Sequence, residues 1–118
     1  MQREWKTLAA TLALTATLTG CIPALVLQQA QTVRDEGWWD RIAQCEVGGD
    51  WAMHGRIYSG IGFANSTYAR YRYNWMPENA GDASPLEQIA VGERVRWELK
   101  PSGSLRTKWG CRDAAKAP

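Results

Sequence analysis

Histidine occurs once in the 118-residue chain, at His54, and no Cys-x-x-Cys pair is present. A zinc centre needs several nitrogen and sulfur ligands at short spacings, so no metal is expected, and nothing calls for another cofactor. Net charge is also scarce. Fourteen basic and twelve acidic residues leave +2, too little to argue for a nucleic-acid partner. No internal repeat is visible and nothing marks a second domain, so the length admits one small domain.

Charge is missing altogether from Leu8 to Leu27, behind a short head carrying Arg3 and Lys6. Such a run reads as an export signal or an N-terminal anchor. Within it, Leu18-Thr19-Gly20-Cys21 looks like a bacterial lipobox, which implies cleavage before Cys21 and a lipid on its sulfur. A plain spanning anchor continuing through Leu25-Val26-Leu27, or ordinary cleavage near Ala30, are the other readings. All three put the remainder outside the cytoplasm. Residues 1–20 are read as a lipoprotein-type signal peptide, 21–35 as a linker, 36–113 as the domain and 114–118 as a tail. The membrane is then a partner through the lipid or anchor, and a monomer is expected.

Cysteine is odd in number, at three. If Cys21 carries lipid, Cys45 and Cys111 remain, either to pair in an oxidising compartment or to stand as two thiols. A bridge closing so long a loop is worth about 4 kcal/mol in the loop-entropy model, which suits a domain this small.

Tryptophan, by contrast, is abundant: seven residues, six of them beyond the leader. Trp38, Trp39, Ile42, Ala43 and Cys45 fall mostly at helical spacings, which predicts an amphipathic helix from Glu36 to Glu46, stopped by Gly48-Gly49. Glu46 then stands at the helix C-terminus, where the dipole disfavours negative charge. That is the direction a general acid needs. Asp50 to Phe63 mixes glycine with aromatics and reads as turns or a short β-hairpin. A second helix is expected from Asn65 or Ser66 to about Tyr71, then loop from Tyr73 to Ala83. Ser84-Pro85-Leu86-Glu87 has the form of a capping box. It opens a helix whose Leu86, Ile89, Ala90 and Trp97 share a face and which Pro101 and Gly103 end. Gly92 interrupts this helix at about 1 kcal/mol relative to alanine, a cost that often goes with the close approach of another element. The fold class is α+β, mainly α.

The stretch Trp39-Asp40-Arg41-Ile42-Ala43-Gln44-Cys45-Glu46-Val47-Gly48-Gly49-Asp50-Trp51-Ala52 closely resembles the resuscitation-promoting factors, secreted actinobacterial proteins of the transglycosylase-like, lysozyme-related class. Gln88-Ile89-Ala90-Val91 with Glu93-Arg94 looks like that family's last long helix, and Trp109-Gly110-Cys111 like its closing motif. The three pieces occur in order and span roughly Gly37 to Cys111. The resemblance implies a reduced lysozyme-like domain with a small hairpin and a Cys45–Cys111 disulfide. It also implies Glu46 as the catalytic glutamate, acting on the β-1,4 bond between N-acetylmuramic acid and N-acetylglucosamine of peptidoglycan. Two departures stand out. The loop between Trp51 and Gly60 is shorter than the family pattern, and Gly62 stands where that pattern has a glutamine.

Cleaving a glycosidic bond needs a proton on the leaving oxygen and stabilisation of an oxocarbenium-like transition state. A lytic transglycosylase manages with one carboxylate, because the muramoyl 6-hydroxyl attacks the anomeric carbon. A hydrolase normally needs a second carboxylate, and Asp50 is the nearest in sequence, with Asp40 on the same helix. Asp50, Tyr58, Gly60, Tyr68 and Trp75 are the candidate substrate contacts, aromatic rings being able to stack on the C–H faces of sugars. Core packing is an equal reading for each aromatic. Trp39 and Trp51 are assigned to the core, and the Tyr68 to Tyr73 cluster to a solvated helix end. His54 is read as exposed and inert, and Glu93-Arg94 as helix-supporting ion pairs. The alternatives to a wall-cutting enzyme are a catalytically weak wall-binding or signalling module and a phage or mobile-element protein with the same chemistry.

Overall fold

The computed structural model describes residues 22–99 and Cys111. Helix α1 covers residues 22–34, and α2 is Trp38–Val47. Strands β1 (Tyr58–Ser59) and β2 (Phe63–Ala64) pair antiparallel, Tyr58 opposite Ala64 and Ser59 opposite Phe63. Helix α3 is Asn65–Tyr71, a 3₁₀ turn occupies Ala80–Asp82, and α4 is Pro85–Leu99. The lipobox with Cys21, Pro101, Gly103 and Trp109-Gly110 lie outside the described residues.

The part of the expected linker that is described is helix. Its polar Gln28, Gln29 and Gln31 disguise a helical apolar stripe of Val26, Ala30 and Val33. Ala30 is buried in the common core and the two valines pack against it. A small residue at the centre of the stripe lets the helix lie close to its neighbour.

α2 begins two residues later than the spacing predicts, because Gly37 takes a left-handed turn (φ +83°). It ends as expected. Gly48 and Gly49 both have positive φ, and their N–H groups double back to the carbonyls of Gln44 and Ala43 at 3.1 and 3.0 Å, satisfying groups that a helix end otherwise leaves unpaired. Trp39, Ile42 and Ala43 form its buried face.

That face meets α4 at Gly92. A Cβ there would fall 2.4 Å from the edge of the Trp39 indole, so the glycine makes room for a wholly buried tryptophan. The capping box is formed. The Ser84 N–H donates to Glu87 Oε1 at 2.8 Å, and the Glu87 N–H to Ser84 Oγ at 3.2 Å. Ile89, Ala90, Val91 and Val95 are buried on α4, whereas Trp97 is 62 % exposed. Trp97 thus departs from the shared apolar face. It donates its indole N–H to Glu93 Oε2 at 3.1 Å. The hairpin contributes Ile61 and Phe63 to the core, and α3 contributes Tyr68 and Tyr71. Cys45 and Cys111, 66 positions apart, are joined by a disulfide.

Candidate functional site

Glu46 lies on the last turn of α2, immediately before the Gly48-Gly49 reversal, and is half-buried. Its neighbour Cys45 carries the disulfide, which brings the far end of the chain to the same place. The backbone N–H of Cys111 donates to Glu46 Oε1 at 2.9 Å. Cys45, Glu46 and Cys111 are therefore one cluster. The N–H contact has no sequence signal, because its donor is a main-chain group 65 positions away.

The expected substrate contacts divide. Asp50 is exposed, and its Oδ1 accepts the Ala52 N–H at 3.1 Å, shaping the turn after the double glycine. Tyr58 is 55 % exposed on β1, beside the still more exposed Ile57. Trp75 is half-buried, with its ring 5.7 Å from that of Tyr73. These three retain surface that a ligand can reach. Tyr68 does not. It is 1 % exposed, and its hydroxyl donates to the Pro77 carbonyl at 2.8 Å. Burial, with Glu87 nearby as the next cause, pushes its phenol up to about 12. It packs in the core because the aromatic stripe of α3 points inward toward Phe63, with ring centroids 5.8 Å apart. Gly60 is buried at φ +62°, and a Cβ there would lie 2.3 Å from Gln88 Oε1. Its role is to let the hairpin turn approach α4.

Gln88 was read in the sequence only as the head of the family-like motif of α4, with no role of its own. It is wholly buried. Its Oε1 accepts the Ile61 N–H at 3.0 Å, and its Nε2 donates to the carbonyls of Trp51 (2.8 Å) and Ala83 (3.1 Å). One amide thus pins the loop after α2, the hairpin turn and the start of α4 together. A buried polar group with every bond made is favourable, whereas a half-made set is costly. Beyond its place in that motif, its sequence signal was a polar residue on the inner face of an otherwise apolar turn of helix.

Other expectations are refined. Trp39 is wholly buried, and its indole N–H donates to Glu93 Oε1 at 2.8 Å. Trp51 is only half-buried, with the Arg34 guanidinium 5.5 Å from its ring centre. His54 is exposed as expected but not unpartnered, since Nε2 lies 3.0 Å from Asp82 Oδ1. Glu93 does pair along the helix with Arg96, at 3.4 Å, but its shorter bond holds Trp39. Arg94 reaches across to the Tyr71 carbonyl (3.0 Å) and over the Tyr73 ring. Arg72 donates to the Met76 carbonyl at 2.9 Å, so the basic aromatic cluster ties α3 to the following loop. Among the described residues no group of three or more His, Cys, Asp or Glu is placed to hold a metal ion. A groove of about 610 Å³ runs between α1 and α4, lined by Val26, Ala30, Val33, Ala90, Arg94 and Trp97 among others; Glu46 is not part of it.

The sequence matches the family model described as a transglycosylase-like domain over residues 33–103. It is similar to resuscitation-promoting factor Rpf2 of Corynebacterium glutamicum, 35 % identical over 81 residues, covering 67 % of this chain and 22 % of that protein. It is also similar to resuscitation-promoting factor RpfA of Mycobacterium tuberculosis, 42 % identical over 66 residues, covering 54 % of this chain and 16 % of the relative. A third relative, Rpf1 of C. glutamicum, is 35 % identical over 74 residues, 61 % of this chain and 38 % of its own. The chain therefore spans well under half the length of each of these relatives.

Proposed function

We propose, from the premise that this chain belongs to the transglycosylase-like family that includes the resuscitation-promoting factors, that it cleaves the glycan strands of peptidoglycan with Glu46 as general acid and base. The observation that carries this reading is the setting of Glu46. A half-buried carboxylate closes α2 in front of a double-glycine reversal, inside the family-matched segment, and a main-chain N–H orients it. The protonated carboxyl gives its proton to the glycosidic oxygen as the C1–O bond breaks, and the bond's electron pair stays on that oxygen. The carboxylate so formed takes a proton from the muramoyl 6-hydroxyl as that oxygen attacks C1. A 1,6-anhydro sugar results, and no second carboxylate or metal is needed. Water as the attacking group is the hydrolytic version, for which Asp50 is the further carboxylate nearest in sequence and an exposed one.

Tyr58 and Trp75 supply the aromatic faces for the sugar rings. The chain works outside the cytoplasm, held by the uncharged run from Leu8 to Leu27 or by lipid on Cys21. A catalytically weak wall-binding module is the second reading. It is favoured by Gly62, which sits at φ +104° where the family pattern has a glutamine, and by the burial of Tyr68.

The full chain in detergent and its Glu46→Gln variant, each incubated with purified actinobacterial peptidoglycan, separate these readings by mass spectrometry of the released fragments. Anhydro-muropeptides from the parent, reduced at least about a hundredfold in the variant, are the expected result. A parent that binds wall and releases nothing sinks the enzyme in favour of the module.

A further inference from the structure

At a helix C-terminus a glutamate side chain has several rotamers within reach, and the last turn of α2 holds no basic residue to fix one. The partner that Glu46 does have is the Cys111 N–H, on Oε1 at 2.9 Å. That N–H is where it is because Cys111 is bonded to the residue next to Glu46, with the two cysteine Cα atoms 5.8 Å apart.

A neutral carboxyl has one oxygen bearing the proton and one that accepts. An N–H aimed at Oε1 favours the proton on Oε2, because the carbonyl-type oxygen is the better acceptor. The same N–H still has an acceptor when the group is ionised, and it then binds more strongly. One main-chain donor can therefore hold the side chain still through both halves of a proton-transfer cycle. Resting on the reading of Glu46 as acid and base, we propose that the Cys45–Cys111 bridge is a positioning device. It keeps the Cys111 N–H on Oε1, so that Oε2 is the oxygen that delivers the proton to the glycosidic oxygen and later takes one from the attacking hydroxyl. Cys111 is thus a positioning residue that acts through Glu46, over and above any effect of the bridge on stability.

The test uses the full chain in detergent micelles, labelled with ¹⁵N-cysteine, which gives three backbone amide signals for three cysteines. The Cys111 amide proton is expected to move with pH as the carboxylate it faces titrates, and to lose that movement in Glu46→Gln. In parallel, Cys45→Ala/Cys111→Ala is assayed on soluble glycan strands. A fall in kcat of roughly ten- to a hundredfold, with KM within twofold of the parent, is the size expected from a misplaced catalytic group. A bridge that serves the fold alone would instead lower the amount of active protein and the melting temperature while leaving the kcat of the folded fraction unchanged. A Cys111 amide indifferent to Glu46→Gln overturns the proposal, as does a folded double variant with parental kcat. Should the double variant not fold, the amide titration decides by itself. Failure of the enzymatic reading looks different: an inactive parent removes both, whereas an active parent with an indifferent amide removes only the positioning role.

Discussion

Gly92 is where the Trp39 side chain of α2 packs onto α4, and the cost of any side chain there follows from geometry. A Cβ would sit 2.4 Å from the Trp39 ring, which is wholly buried and fixed at its N–H by Glu93. Alanine would recover about 1 kcal/mol of helix propensity, but overpacking against a rigid ring costs typically 1–3 kcal/mol. Gly92→Ala is expected to come out destabilised by about 1–2 kcal/mol in denaturant unfolding. An unchanged or raised midpoint would show that the two helices can move apart. Tyr68 gives a pH-dependent case. Its phenol is raised above the ordinary value of 10 to about 12, so the folded state favours the neutral form. That stability is fully present below pH 10 and is lost as pH rises through about 12. Tyr68→Phe should cost about 1 kcal/mol at neutral pH through its lost bond to Pro77, and should flatten the decline above pH 10. The interruption at Gly92 was legible in sequence because glycine inside a helix is costly. The inward turn of Tyr68 was not, because an aromatic on a short helix fits a groove or a core equally well. Nor was Gln88, whose three partners come from segments far apart in the chain.

At the scale of elements, the places where the chain stops or starts were readable, because each uses local chemistry. The Gly48-Gly49 stop and the capping box of α4 stand where turn and cap residues predicted them; the hairpin lies at the end of the stretch read as turns or a hairpin, and α3 fills the expected Asn65 to Tyr71 without a side-chain cap. Ser84→Ala removes one reciprocal bond of the box, and the loss is expected to be about 1 kcal/mol. The same substitution in a Glu87→Ala background should cost less, because the two bonds form as a pair. Equal costs in both backgrounds would show that the two bonds act independently. α1 was not legible as a packed element. Its apolar stripe is short, lies at the end of an uncharged run, and is diluted by glutamines, so composition argued for a spacer although the periodicity over 22–34 is helical.

For the whole molecule, the question left by α1 is where the folded unit begins. The family match starts at residue 33, yet Ala30 is 3 % exposed and belongs to the same core as Trp39 and Ile89. If α1 is merely a linker ahead of the domain, a charge at position 30 can stay in water and leave stability alone. If α1 is part of the unit, Ala30→Glu places a carboxylate among Val26, Val33 and Ala90 beside the groove. A buried charge with one partner missing costs about 3–5 kcal/mol, less here because the groove is open to water on one side. A loss of roughly 2–3 kcal/mol is therefore expected, which for a domain of this size lowers the melting temperature by about 10 °C or more. Thermal unfolding of the full chain in detergent, with Gln28→Glu on the exposed face of the same helix as control, checks it. A drop for position 30 alone makes α1 a wall of the fold. Equal melting temperatures for the two variants would return α1 to the status of a linker.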